Sequence, residues 1–170
     1  MSQRLIFPFT SGMILTGYKT AQYKKSWGYP HYGIDISSIQ GGQTTKDNMI
    51  RASGDGTVMW CRYDVPTAGA KSLGWAIAIK YDNCISRDGK VSDLIVRYMH
   101  SQYYIDQYGV THDGYYKDSN GRRILGEKII AGRIVKAGEP IALEGKVGTA
   151  DYHVHFEMDT DTNYPEYTPQ

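Results

Sequence analysis

The chain has 170 residues, enough for one domain with a real hydrophobic core and short for two. Its 41% hydrophobic and 22% charged residues are ordinary for a globular protein. The 19 basic and 18 acidic residues leave a formal net charge of +1, which argues against nucleic acid or an anionic membrane surface as the main partner.

In chain order, the opening Met1-Ser2-Gln3-Arg4-Leu5-Ile6-Phe7-Pro8 carries one Arg and no apolar run of signal-peptide length. No window approaches 18 consecutive apolar residues, so no helical membrane span is expected. Helix signals are poor. The 19 glycines and the short apolar runs between turn residues predict a mainly β domain with long loops and little helix. Strands are expected at 56–62, 75–81, 94–100, 133–135, 141–144 and 153–158. Residues 82–91 hold Asp88-Gly89, so the second and third of these strands read as a long hairpin. Lys136-Ala137-Gly138-Glu139-Pro140 reads as a turn.

Two stretches read as insertions. Residues 40–48 are polar and begin with glycine. Residues 103–127 are rich in Tyr and carry Asp113-Gly114 and Asn120-Gly121, so they are expected to be functional or to hold a small hairpin of their own. The last residues, from Asn163 on, read as the start of a linker. The expected organisation is one domain over 1–170 with its core at about 7–160, either cut from a longer chain, which the linker-like end favours, or exported without a cleaved signal.

Tyr is over-represented, at 15 against 3 Phe and 3 Trp, and suits half-buried strands or a wet binding groove. Cys61 and Cys84 lack CxxC spacing, which argues against a zinc knuckle and leaves either one disulfide or two buried thiols.

The chemistry concentrates in the histidines. In Tyr152-His153-Val154-His155-Phe156-Glu157-Met158 the alternation of a strand puts His153, His155 and Glu157 on one face. Histidines about 7 Å apart on one strand face suit a metal ligand beside a catalytic base, and spacing does not say which is which. Glu157 is placed either to support His155 or as a plain surface carboxylate. His31 and Asp35 also share a face, yet a straight strand would hold them about 13 Å apart, too far for one ion. Gly33 between them permits the bend that brings both inward. His100 ends an apolar strand, a position that suits either a catalytic group or a hydrogen-bonded structural ring. His112, inside the Tyr-rich insertion, is expected to be a solvated loop residue.

Taken together, His-x-x-x-Asp at 31–35, Tyr-x-His at 98–100 and His-x-His-Phe-Glu at 153–157 resemble the motifs of the M23 peptidases, the lysostaphin and LytM type of zinc endopeptidase. Phe7-Pro8, Ala52-Ser53-Gly54-Asp55-Gly56-Thr57-Val58 and the turn at 136–140 resemble further segments of that family, and the likeness covers most of 7–160. The resemblance implies antiparallel sheets of the duplicated hybrid motif. It implies Zn2+ held by His31, Asp35 and His155, with His100 and His153 as catalytic residues. The implied substrate is bacterial peptidoglycan, cut in its stem peptides or cross-bridges, which places the protein outside the cell, in the envelope or on a virion. Tyr115 and Tyr116 are candidates to line the groove. The chain departs from the family at Gly148-Thr149-Ala150-Asp151-Tyr152, where a Gly-Pro step is usual, at Ser101-Gln102, where Leu-Ser is usual, and in the length of 103–127. These departures put substrate preference in question rather than reaction type. Two competing readings are a non-catalytic LytM-like domain, binding cell wall or serving in a phage tail or envelope assembly, and a D-Ala-D-Ala dipeptidase. The second uses a longer His-to-Asp spacing than 31–35.

Overall fold

A computed structural model describes residues 1–38, 48–64, 74–117, 120, 123–125 and 131–163, with only the backbone described at 64, 115–117 and 123–125. The structure is mainly β, with antiparallel sheets and one short helix.

The main sheet has seven strands. In spatial order they are β1 (Gly12–Thr16), β2 (Ile34–Ser38), β13 (Val154–Asp159), β6 (Val91–Ser101), β5 (Gly74–Ile85), β4 (Gly56–Asp64) and β11 (Ile134–Val135). The centre is the β5–β6 hairpin, turned through Asp88-Gly89 with Gly89 at φ 85°, where a residue with a Cβ is strained. The apolar run at 75–81 has a simple cause. Alternate side chains enter two different cores, Trp75, Ile77, Ile79 and Tyr81 on one face and Ala76 and Ala78 on the other. A strand buried on both faces needs apolar residues at every position.

A second sheet of four strands, β3 (Met49–Arg51), β12 (Pro140–Leu143), β7 (Tyr103–Ile105) and β8 (Thr111–His112), packs Ile50, Ile141, Ala142 and Tyr104 into the larger core. A separate hairpin pairs β9 (Tyr115–Lys117) with β10 (Arg123–Leu125). The two larger sheets are tied by a buried carboxylate. Glu144 accepts hydrogen bonds from the Ser37 hydroxyl at 2.9 Å, the Ser38 N–H at 2.8 Å and hydroxyl at 2.6 Å, and the Asn48 amide at 3.0 Å. Removing that acceptor would strand several buried donors at once.

Each of the six expected strands is present within a few residues of its expected bounds. The insertion at 103–127 holds β7 to β10, so it carries a hairpin as expected, and β7 also joins the second sheet. The helix α1 (Ala21–Trp27) was not legible, because it buries no residue and so shows no apolar stripe. It ends at Gly28, in the left-handed conformation with its N–H on the Lys24 carbonyl. Cys61 and Cys84 are buried free thiols. His112 corrects its expectation: it is half-buried, bonded through Nε2 to Asp106 Oδ2 at 2.9 Å, and lies beside the Tyr104 ring. Among the described residues, no helix is long and apolar enough to cross a membrane. The expected loop at 40–48 lies outside the described residues save Asn48, as does the expected linker beyond 163.

Candidate metal centre

The centre forms where β2, β13 and β6 adjoin. Asp35 on β2 is paired in register with His155 on β13, and His155 with Met99 on β6, one residue before His100. His31 precedes β2, and the chain bends back at Gly33 so that His31 Nε2 lies 3.1 Å from Asp35 Oδ1. Gly33 is required there by close approach: a Cβ would stand 2.7 Å from both His155 Nε2 and the Phe156 carbonyl oxygen.

His155 Nδ1 completes a triangle, 3.0 Å from His31 Nε2 and 3.0 Å from Asp35 Oδ1. His31 Nδ1–H donates to the Gly17 carbonyl at 3.0 Å, so Nε2 is the ring nitrogen directed at its neighbours. Two ring nitrogens and a carboxylate oxygen this close call for a positive charge among them, a shared proton or a metal cation. The three residues form a group that could hold a metal ion. The triangle's edges approach the spacing of about 3.3 Å that ligand distances of 2.0–2.1 Å give in a tetrahedral zinc site. Asp35 and His31 are almost fully buried, and His155 is half-buried at the floor of the cleft.

The electrostatics follow from burial and these contacts. Burial pushes the Asp35 carboxyl up, but the hydrogen bonds from His155 and His31 outweigh it and hold Asp35 ionised well below the usual carboxylate range. Burial pushes His31 down, and its bonds to Asp35 and the Gly17 carbonyl bring it above the ordinary histidine value. Glu157 is raised, chiefly by burial and against the pull of Arg97.

Both remaining histidines of the expected set are at the site. His153 Nδ1–H donates to the Asp151 carbonyl at 2.9 Å, and its Nε2 faces the site, 3.6 Å from Asp35 Oδ1. His100 Nδ1–H donates to the Val147 carbonyl at 2.9 Å, and its ring centroid lies 5.0 Å from that of His153. His100 takes a left-handed backbone at φ 69°, a costly conformation for a non-glycine residue and one that clusters at functional sites. Burial first, then the neighbouring His153 and His155, lower its pKa to about 4, so it is neutral at pH 7. The structure thus brings His31, Asp35, His100, His153 and His155 to one place. A cleft of about 450 Å³ opens over them.

No protein-family model and no curated protein matches the chain. Among solved structures, it is similar to one described as a zinc containing peptidase from Vibrio cholerae, with 19% identity and a TM-score of 0.48. The match covers 92% of this chain and 36% of that one, so the chain spans about a third of that protein's length.

Some of the surroundings were not read from sequence. Tyr23 stacks on the His31 ring with centroids 4.4 Å apart, and with Trp27, Tyr29 and Tyr32 it lines the cleft. The available signal was the i, i+4 spacing of Tyr23 and Trp27 on a short helix just before His31. Among the described residues the groove aromatics come from 23–32 rather than from the Tyr-rich insertion. The side chains of Tyr115 and Tyr116 lie outside the described residues. The carbonyls of Gly17, Asp151 and Val147, which set three histidine tautomers, leave no mark in a sequence. Glu157 does share its face with His155, but its Oε2 stops 4.0 Å from His155 Nε2 while Oε1 accepts from Arg97 at 3.1 Å.

Proposed function

We propose that the chain is a zinc-dependent endopeptidase of the M23 type that hydrolyses peptide bonds in bacterial peptidoglycan. The observation that carries this reading is the His31–Asp35–His155 triangle with two further histidines, tautomerically pinned, beside it. His31 Nε2, Asp35 Oδ1 and His155 Nδ1 would hold the ion. Three protein ligands suit a catalytic rather than a closed structural site, and zinc so held would polarise a carbonyl and lower the pKa of water to about 7.

The protein's own groups supply the proton handling. His153 Nε2, 3.6 Å from Asp35 Oδ1 and outside the triangle, orients the attacking water and accepts its proton. His100, kept neutral by burial with its Nδ1–H on the Val147 carbonyl, offers Nε2 as an acceptor that takes up a proton and relays it to the leaving amine. The cleft walls at 15–32 and 148–151 hold the peptide on either side. The lead-in Gly148–Asp151 forms one of those walls, and there this chain departs from the family pattern, so bond preference is set there.

The test is digestion of purified cell walls, with mass spectrometry of the released muropeptides. Cleavage at a peptide bond that chelator abolishes and zinc restores supports the reading. Intact muropeptides from a zinc-loaded protein would overturn it in favour of the non-catalytic, wall-binding alternative.

A further inference from the structure

One wall of the cleft has a composition unlike the rest of the chain. Residues 1–34 contain Arg4, Lys19, Lys24 and Lys25 and no Asp or Glu; the first acid is Asp35 itself. Three of those four cations fall in the segment that carries the wall aromatics. Lys19, Lys24 and Lys25 are all exposed. Lys19 Nζ lies 5.0 Å from the centroid of Tyr18 and 5.5 Å from that of Tyr32, a cleft-lining ring. Lys24 is a helix-face neighbour of Trp27, three positions on, since positions three and four apart are neighbours.

The rings extend outward from the metal ligands. Tyr23 stacks on His31 at 4.4 Å and meets Tyr29 edge-on at 5.8 Å and Trp27 at 6.3 Å. Trp27 is 58% and Tyr29 53% exposed. A helix that buries nothing yet lays Tyr23 and Trp27 along a cleft contributes little to a core and offers contact area to a ligand. The opposite wall, by contrast, carries the acid Asp151.

We propose that the 18–29 wall is a subsite for an anionic segment of an extended peptide, with the rings bearing on its backbone and the lysines reading a side-chain or terminal carboxylate. This deepens the peptidase reading and rests on it for the peptide nature of the ligand. Charge complementarity selects the anionic ligand: three lysines on a segment that carries no acid attract a carboxylate, and Asp151 in the 148–151 lining repels it, so the peptide is bound in one direction.

The test separates the subsite from the activity. The zinc-loaded His153→Ala protein is titrated with a fluorescent alanine-rich peptide carrying one glutamate, and with its glutamine twin, by anisotropy. The glutamate peptide is expected to bind about three- to tenfold more tightly, the sum that exposed charge pairs provide, with the preference shrinking at high salt. The exposed triple change Lys19→Glu, Lys24→Glu, Lys25→Glu, checked for its fold by circular dichroism, should erase or invert the preference. Trp27→Ala should weaken both peptides alike. Equal affinity for the twins, a preference that survives the triple change, or no binding of either peptide overturns the subsite. A preference that holds while native enzyme leaves cell walls uncut would instead sink the peptidase reading and leave an anionic-peptide binding site.

Discussion

At the scale of residues, the histidine pair separates into two jobs by which ring nitrogen each uses. His155 offers Nδ1 to the triangle, whereas His153 spends Nδ1–H on a backbone carbonyl. Accordingly, His155→Ala should lose bound zinc, and His153→Ala should keep about one equivalent while losing turnover, as metal analysis of the purified variants would show. A full equivalent of zinc in His155→Ala would mean the ligand assignment is wrong. A ring that binds metal through Nδ1 must carry its proton on Nε2, and among the described residues the carboxylate oxygen that faces it is the buried Glu157 Oε2, which makes no hydrogen bond there. Arg97 holds the other oxygen, so the carboxylate is anchored and needs to close by about one ångström to receive His155. Glu157→Gln should therefore weaken zinc binding by about 10- to 100-fold in competition with a chromophoric chelator. An unchanged affinity would reduce Glu157 to a partner of Arg97. The sequence placed Glu157 on the correct face and could not distinguish these roles, because the distance depends on Arg97, 60 residues away.

At the scale of elements, legibility followed the source of each element's stability. The β5–β6 hairpin was readable because it carries its own information: a run of strand-forming residues on each side and an Asp-Gly turn. Short strands such as β1 and β3 were not, since they are held by partners distant in sequence, β1 by β2 and β3 by β12. β1 lies at the sheet edge with Met13, Ile14 and Leu15 all exposed, so it shows neither alternation nor a buried run. The bend at 31–35 was legible in part: ligand chemistry demanded that His31 and Asp35 meet, and Gly33 was the residue that allowed it. Its cause proved to be closeness rather than a left-handed backbone, because β13 presses against the glycine. Gly33→Ala should thus force His155 and the Phe156 backbone away from β2. The expected cost is about 1–3 kcal/mol in urea unfolding, with weakened zinc binding alongside. A variant with native stability and zinc affinity would show that β2 and β13 yield freely at this point.

For the whole molecule, the cluster of histidines makes the stability of the metal-free protein depend on pH, and the signs can be worked out. His100 has its folded pKa lowered to about 4 from an ordinary value of 6.5, so between those values the unfolded chain binds the proton more readily. Its contribution is fully retained above pH 6.5 and is lost as pH falls toward 4, by on the order of 3 kcal/mol in total. His31 acts in the opposite sense: its folded pKa is raised, so its contribution is present at low pH and fades as pH rises through that value. Asp35, held low, adds stability that is kept through this window and lost only at more acid pH. The net slope mixes these terms, so the informative quantity is a difference between two proteins. Asn tolerates the left-handed backbone that His100 occupies and carries no titrating proton. In chelator-treated samples unfolded by urea from pH 7 to pH 4, His100→Asn should lose less stability than the wild type, and the two curves should converge or cross toward the acid end. Parallel curves would mean that His100 is already solvated enough to protonate in the folded state. In that case its folded value would match the ordinary 6.5, and burial would no longer be what keeps it neutral beside His153.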